Sequence, residues 1–167
     1  KLQERNKHVQ QVLLENVAKG VEYELIVQQA LLSLEEVRSG DMLAAVYSYN
    51  RIDQQFEMVG CNLKKQEEFL SSIEFAGMYP ASMLQENTKG DYARFSTDRE
   101  EIIQKYSSVG YAFPTVSRHL GIKGIIIIFF DTDKEVSTEE IDAINSINNI
   151  LKISIEHHQN KDEIKRF

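Results

Sequence analysis

The residues that could do nucleophilic or metal chemistry are few and scattered. The one cysteine, Cys61, stands in a candidate strand, where a free thiol usually packs as a small apolar group. His157 and His158 are adjacent, so on a helix they diverge and do not form the i, i+4 pair that a metal favours. We expect both to be solvated. His119 has no acidic or cysteine neighbour at ligand spacing. The sequence therefore predicts a non-enzymatic chain with no metal site, and it indicates no particular cofactor.

A second set of residues is aromatic or polar and could line a small-molecule pocket. Such a pocket is typically an apolar cavity with a few placed polar groups. Arg94 in such a cavity would select a carboxylate or a phosphate. The same side chains could equally fill a core, since tyrosines in strands need no ligand to explain them. The predicted ligand-binding residues are Tyr47, Tyr49, Met58, Phe75, Tyr79, Arg94, Ser96, Tyr106 and Phe113.

One apolar run marks the centre of the fold. Residues 124–131 read GIIIIFFD, and six consecutive large apolar side chains leave no polar face for water. β-Branching disfavours a helix and suits a strand, and the run is far shorter than the roughly 20 apolar residues of a membrane span. The sequence therefore predicts that residues 125–130 form a central strand in a sheet covered on both sides.

A long helix is predicted directly after this strand. Ser137 and Glu140 have the spacing of a capping box, which places the start of the helix at Thr138. Apolar residues then recur at seven-residue spacing, and the asparagine among them could fix the register of a parallel helix pair. The repeat covers only about two heptads, so packing within one chain is the alternative. The predicted dimer seam consists of Ile141, Ile144, Asn148, Leu151 and Ile155.

The rest of the chain alternates between helical periodicity and strand-like alternation. After an N-terminal helical region, the predicted order is two strands, a helix, a short strand, a helix, two strands and the final helix. The strands are expected at 43–50, 56–63, 92–96 and from 111 onward, before the central strand. Helices around an antiparallel sheet make the predicted fold class α+β.

Length and composition bound the function. The chain has 167 residues, 42% of them hydrophobic, which suits one globular domain. A net charge of −7 argues against a nucleic-acid or anionic-membrane surface. The single cysteine excludes an internal disulfide framework and is consistent with a cytoplasmic location. Because the chain begins with Lys1, we expect it to be a piece of a longer protein.

The pattern resembles the GAF domain of signalling proteins. The residues that carry the resemblance are Pro114, Gly121, Gly124, the run 125–130 and the segment 136–151, and the resemblance spans about residues 21–159. It implies a sheet of five or six antiparallel strands, with the first and last helices on one face and a small-molecule pocket on the other. It also implies a regulatory role next to an output domain, often in a dimer. A PAS-type sensor, which has a similar sheet, is the alternative fold.

Specialised GAF classes match less of the sequence. GAF-type methionine sulfoxide reductases cycle several cysteines, and this chain has one. Asn62, Lys64 and Phe69 are similar only to the beginning of the cyclic-nucleotide-binding pattern. Residues 79–82, YPAS, are similar to the start of a motif in bilin-binding phytochromes, but Met83 and Leu84 depart from it.

Together these features predict a sensory or regulatory domain. Residues 1–20 are predicted as an N-terminal linker or signalling helix, 21–160 as the GAF-like domain and 161–167 as the start of a C-terminal linker. The domain would bind a small molecule, form a homodimer through its terminal helices and signal through them to an output domain in the same chain. A ligand-free dimerisation and transmission module is the alternative.

Overall fold

The structure, a computed structural model, describes residues 2–37, 42–50, 52, 55–63, 92–96, 109–117, 121–131 and 136–166. The elements of these residues are helices α1 (Leu2–Ala18) and α2 (Tyr23–Glu35), strands β1 (Met42–Asn50), β2 (Gln55–Cys61), β3 (Ala93–Ser96), β4 (Val109–Ser117) and β5 (Gly121–Phe130), and helix α3 (Thr138–Arg166). The helices predicted from residues 64 and 97, and the loop between residues 76 and 91, lie outside the described residues.

The described strands form one five-stranded sheet in the order β2-β1-β5-β4-β3, and all neighbouring strands are antiparallel. The predicted α+β class with an antiparallel sheet is confirmed. The prediction of a central strand at residues 125–130 is also confirmed, because β5 lies in the middle of the sheet and all six side chains are buried. The apolar run at residues 125–130 therefore lies in β5, which has two strands on each side of it in the described sheet.

The side chains of β5 alternate between two apolar cores, one on each face of the sheet. Ile126, Ile128 and Phe130 belong to the larger core, which also includes residues of α1, α2 and α3. Ile125, Ile127 and Phe129 point to the opposite face and form a separate core. We call these sides of the sheet the helix side and the second face.

The three described helices pack together on the helix side. Helix α1 ends in a Schellman motif, in which Gly20 has a φ of 80°, and the amide of Val21 donates to the Asn16 carbonyl at 3.1 Å. His158 of α3 donates from Nε2 to the Val21 carbonyl at 3.0 Å, so it is half-buried and bonded, contrary to our expectation that it is solvated. Helix α3 is thereby joined to the turn between α1 and α2.

The capping box at the start of α3 is present as predicted. The Ser137 amide donates to Glu140 Oε1 at 2.9 Å, and the Glu140 amide donates to Ser137 Oγ at 3.2 Å. These reciprocal bonds satisfy two backbone donors that would otherwise lack intrahelical partners. The helix begins at Thr138, as the spacing predicts.

Gly124 of β5 lies close to the backbone of the neighbouring strand β1. A Cβ atom on this residue would lie 2.5 Å from the carbonyl oxygen of Tyr47 in β1. On the other side of β5, Thr115 pairs with Gly124 while Val116 pairs with Ile122, so β5 has one more residue than β4 over this stretch. An extra residue of this kind makes a bulge and bends the strand. Glycine is therefore required here by the lack of space next to a backbone atom.

We predict that Gly124→Ala destabilises the domain by about 2 kcal/mol, because the new methyl group meets a backbone oxygen that cannot rotate away. Urea unfolding measures the change. Gly60→Ala is the matched control, since a Cβ there would lie 3.4 Å from Val27 Cγ1, an ordinary contact with a side chain. Equal losses of stability in the two variants would contradict this explanation.

Candidate functional site

The second face of the sheet has an apolar surface that is buried although none of the described helices belongs to its core. Residues at the periphery, Phe56, Met58 and Cys61 of β2 and Leu63 just after it, are partly buried against this surface. This face is where the resemblance to GAF domains places a pocket. The buried residues of the second face are Leu43, Ala45, Tyr47, Ala112, Ile125, Ile127 and Phe129.

Strand register places small side chains in one row across this face. Ala45 of β1 pairs with Cys61 of β2 on one side and with Ile127 of β5 on the other, and Ile127 pairs with Ala112 of β4. We call Cys61, Ala45, Ile127 and Ala112 the alanine row. The row therefore leaves a low strip across four strands, interrupted by one isoleucine.

Rows of larger side chains lie on both sides of the alanine row. One contains Met58, Tyr47, Ile125 and Pro114, in register across four strands. The other contains Leu43 and Phe129. Each residue advances a strand by about 3.4 Å, so these two bulky rows, four residues apart, are separated by about 14 Å with the alanine row between them. The side chains of the sheet itself therefore form a trough with apolar walls, and the two alanines on its floor, Ala45 and Ala112, are covered, with exposures of 0% and 1%. Such a shape is suited to a flat apolar group.

Tyr47 supplies a polar group next to this trough. Its side chain is 2% exposed, and burial raises the pKa of its phenol well above the usual value, with a smaller contribution from the nearby Cys61. The hydroxyl therefore stays neutral and able to donate a hydrogen bond throughout the physiological pH range. Cys61 itself has a half-buried thiol outside any disulfide, and its Sγ donates to the Leu63 carbonyl oxygen at 3.5 Å.

The structure brings together part of the predicted ligand-binding set. Tyr47 and Met58 lie in the same row, and Tyr49, half-buried, packs against Phe56 with ring centroids 5.0 Å apart. Phe113 is different, because alternation along β4 puts it on the helix side, where it is fully buried and stacks on Tyr92 at 5.4 Å. Phe113 therefore does not line the second face, and its predicted role toward a ligand stays a prediction.

The remaining predicted ligand-binding residues are placed only in part. Arg94 and Ser96 lie on β3, where Arg94 pairs in register with Tyr111 and Ser96 pairs with Val109. Their role toward a ligand stays a prediction. Phe75, Tyr79 and Tyr106 lie outside the described residues.

The predicted dimer seam has partners within the chain. Ile144 and Leu151 are fully buried in the helix-side core, and Asn148 is 8% exposed. Asn148 binds β4, as its Nδ2 donates to the Pro114 carbonyl at 2.9 Å and its Oδ1 accepts from Thr115 Oγ1 at 2.7 Å. The other two seam residues, Ile141 and Ile155, are half-buried. A contact of α3 with a second chain stays a prediction.

Sequence reasoning missed the structural role of Asn62. Strand β2 ends at Cys61, and the side chain of Asn62 continues its pairing with β1. Asn62 Nδ2 donates to the Met42 carbonyl at 2.8 Å, and Asn62 Oδ1 accepts from the Ala44 amide at 2.9 Å. An asparagine directly after a strand was the available signal, because its amide group can mimic a backbone peptide.

Two further findings concern the described residues only. They contain no group of three or more His, Cys, Asp or Glu side chains that could hold a metal ion. None of their helices is both long and apolar enough to cross a membrane.

Solved structures with a similar fold include several GAF domains. A GAF domain from a Coxiella burnetii phosphoenolpyruvate-protein phosphotransferase is 13% identical with a TM-score of 0.70, covering 96% of this chain and 98% of that one. The phycoerythrobilin-bound GAF domain of a cyanobacterial phytochrome is 12% identical with a TM-score of 0.68, covering 94% and 97%. The GAF domain of a putative sensor histidine kinase from Pseudomonas syringae pv. tomato is 9% identical with a TM-score of 0.67, covering 98% and 94%.

The chain therefore has the fold of a GAF domain, as its sequence pattern predicts. At these identities the similarity concerns the fold alone. No protein-family model matches the sequence, and no curated protein matches it.

The buried tyrosines make a testable contribution to stability at high pH. Burial raises the pKa of Tyr47 and of Tyr23, whereas an unfolded tyrosine ionises near pH 10. Unfolding then releases protons, so the free energy of unfolding should fall above about pH 10, by up to about 1.4 kcal/mol per pH unit for each tyrosine. Tyr47→Phe should remove its share of this slope in urea unfolding. Tyr49→Phe controls for loss of a hydroxyl from the same strand, and an unchanged slope in Tyr47→Phe would contradict the assignment.

Proposed function

We propose that this chain is a non-enzymatic sensory or regulatory domain that binds a small molecule on the second face of its sheet. The terminal helices α1 and α3 pass the response to an output domain of the same longer protein. We also propose a cytoplasmic location, which the single cysteine, outside any disulfide, supports.

The observation that carries the proposal is the trough over the alanine row. Ala45 and Ala112 stand where a packed sheet face would favour larger side chains, and bulky residues stand on both sides of them. Tyr47 adds a neutral hydrogen-bonding group to an otherwise apolar surface. An apolar cavity with few polar groups is the usual form of a small-molecule site. A phytochrome GAF domain of similar fold holds phycoerythrobilin, which supports the use of this fold for a ligand.

The helix side supports the transmission part of the proposal. Helices α1 and α3 contact one another, and both also contact α2, which packs on β1 and β2. A change in the sheet can therefore reach both terminal helices through a continuous packed layer. Similar folds in a sensor histidine kinase and a phytochrome support an output domain in the same chain.

We predict that Ala45→Val is tolerated without loss of stability, because the space that we propose for a ligand would accept its two added methyl groups. Each added group that is buried contributes up to about 0.8 kcal/mol. Ala44→Val is the matched control, since Ala44 is the preceding residue and is as fully buried as Ala45, but in the helix-side core. It should lose about 1–3 kcal/mol through overpacking. Urea unfolding measures both, and equal losses would mean that the second face is filled.

The same variant serves a thermal-shift screen of metabolites, cyclic nucleotides, amino acids and carboxylates. A binder at 100 times its dissociation constant adds about 2.7 kcal/mol to stability, a shift of several degrees. We expect Ala45→Val to abolish the shift and Ala45→Gly to keep it. A shift that is equal in all three proteins would place the ligand elsewhere.

A ligand-free dimerisation and transmission module is the second candidate. It is favoured by exposed apolar side chains on the terminal helices, namely Val12 and Leu14, each 42% exposed, and Ile153, 37% exposed. Monomeric surfaces do expose single apolar residues, so only a measurement decides.

If the terminal helices form a homodimer, sedimentation equilibrium should give a mass that rises with concentration toward twice 19.2 kDa. Leu14→Glu should weaken the association at least about tenfold, because it puts a charge into an apolar contact. Gln11→Glu is the control, as it adds the same charge at another exposed position of α1. A monomer mass at every concentration would exclude the dimer.

A further inference from the structure

Asn148 joins helix α3 to strand β4 through both ends of its side-chain amide. Its Nδ2 donates to the Pro114 carbonyl at 2.9 Å, and its Oδ1 accepts from Thr115 Oγ1 at 2.7 Å. Asn148 is 8% exposed and Thr115 is 2% exposed, so water competes little for these bonds. Both bonds join α3 to the sheet.

The two residues that Asn148 holds belong to opposite sides of the sheet. Thr115 faces the helices, as its bond to α3 requires. Pro114, the preceding residue, pairs with Ile125 and so belongs to the row of Tyr47 on the second face. The Asn148 side chain of α3 therefore binds strand β4 at Pro114, the residue that borders the proposed site.

The backbone between Tyr47 and Asn148 has little freedom to absorb a displacement. Gly124 lies against the Tyr47 carbonyl, where even a Cβ atom would have no room, and Gly124 also pairs with Thr115. Close-packed interiors transmit such displacements because no void takes them up. A contiguous series of contacts thus runs from Tyr47 through Gly124 and Thr115 to Asn148.

We propose that Asn148 is the positioning residue that couples the second face of the sheet to helix α3. The coupling exists in the fold whether or not a ligand is known, and its use in signalling rests on the proposed sensory function. Apolar contacts between α3 and the sheet allow small sliding movements, whereas two directional bonds to adjacent residues hold one register. Movement of β4 away from its resting position must therefore displace α3 or break buried hydrogen bonds, which is costly.

The test needs no ligand. Ile125→Val removes one methyl group from the second face, in register with Pro114 and on the side of the sheet away from α3. Amide hydrogen exchange by NMR then gives the rates for residues 147–151 of α3 relative to residues 27–31 of α2. If Asn148 couples the two sides, Ile125→Val should raise this ratio at least about threefold, as expected for interacting sites.

Removing the coupling residue should cancel the effect. In an Asn148→Leu background, Ile125→Val should leave the ratio unchanged, because the apolar side chain still fills the space but no longer binds β4. Asn149→Leu is the matched control, since Asn149 is exposed on the same helix and should preserve the threefold change. If Asn148→Leu does not fold, Thr115→Val replaces it, because it removes one of the two bonds and should reduce the change.

Two outcomes would overturn the proposal. One is that Ile125→Val raises the exchange-rate ratio equally in the wild-type and Asn148→Leu backgrounds, which would assign the coupling to core packing. The other is a ratio that does not respond to Ile125→Val in the wild-type background. A flat ligand screen would count against the sensory function and would leave this result unaffected, so the two failures are distinguishable.

Discussion

Burial of β5 on both faces is the constraint on which the rest of the structure depends. A strand with six large apolar residues and no polar face is stable only if separate groups of side chains cover each side of the sheet. Each fully buried isoleucine or phenylalanine contributes about 1.5–3 kcal/mol, so exposing the three on either face would cost about 5–9 kcal/mol, a large part of the roughly 5–15 kcal/mol stability of a typical domain. The three described helices cover one side, and their packing there is complete around Ile126 and Ile128.

The two faces differ in how they are built, which fits the proposed division of structural and functional roles between them. The helix side combines large apolar residues with a buried polar connection at Asn148, a combination that fixes position. The second face combines large residues with Ala45 and Ala112, so its side chains extend to unequal heights above the sheet. Pro114 and Thr115, adjacent in β4, connect these faces through the backbone. A sheet of this kind can hold its helices rigidly on one side while adapting on the other.

Local patterns in the sequence predicted the local structure well. Ser137 and Glu140 are three residues apart, so their capping box depends on nothing distant, and the run of β5 is equally self-contained. Contacts between distant segments were not predictable in this way. His158 binds a carbonyl group 137 residues away, and no spacing rule reaches that far.

The same contrast between local patterns and distant contacts applies to the candidate site. Tyr47 and Met58 were placed on neighbouring strands from alternation alone, and they do share a row. The face of Phe113 depends on how β4 is registered against β5, which alternation within a single strand does not determine. The seven-residue repeat around Asn148 is equally consistent with a partner in another chain or in the same one, and its bonds to β4 became evident only from the fold.

The position of Cys61 has a practical consequence. It is the only thiol in the sequence, and it lies half-buried at the end of the alanine row, paired with Ala45. Alkylation requires the thiolate and access for the reagent, so the labelling rate of this one atom reports how often its surroundings open. The rate at which a maleimide labels Cys61 therefore measures how often the border of the second face opens, and no engineered probe is needed.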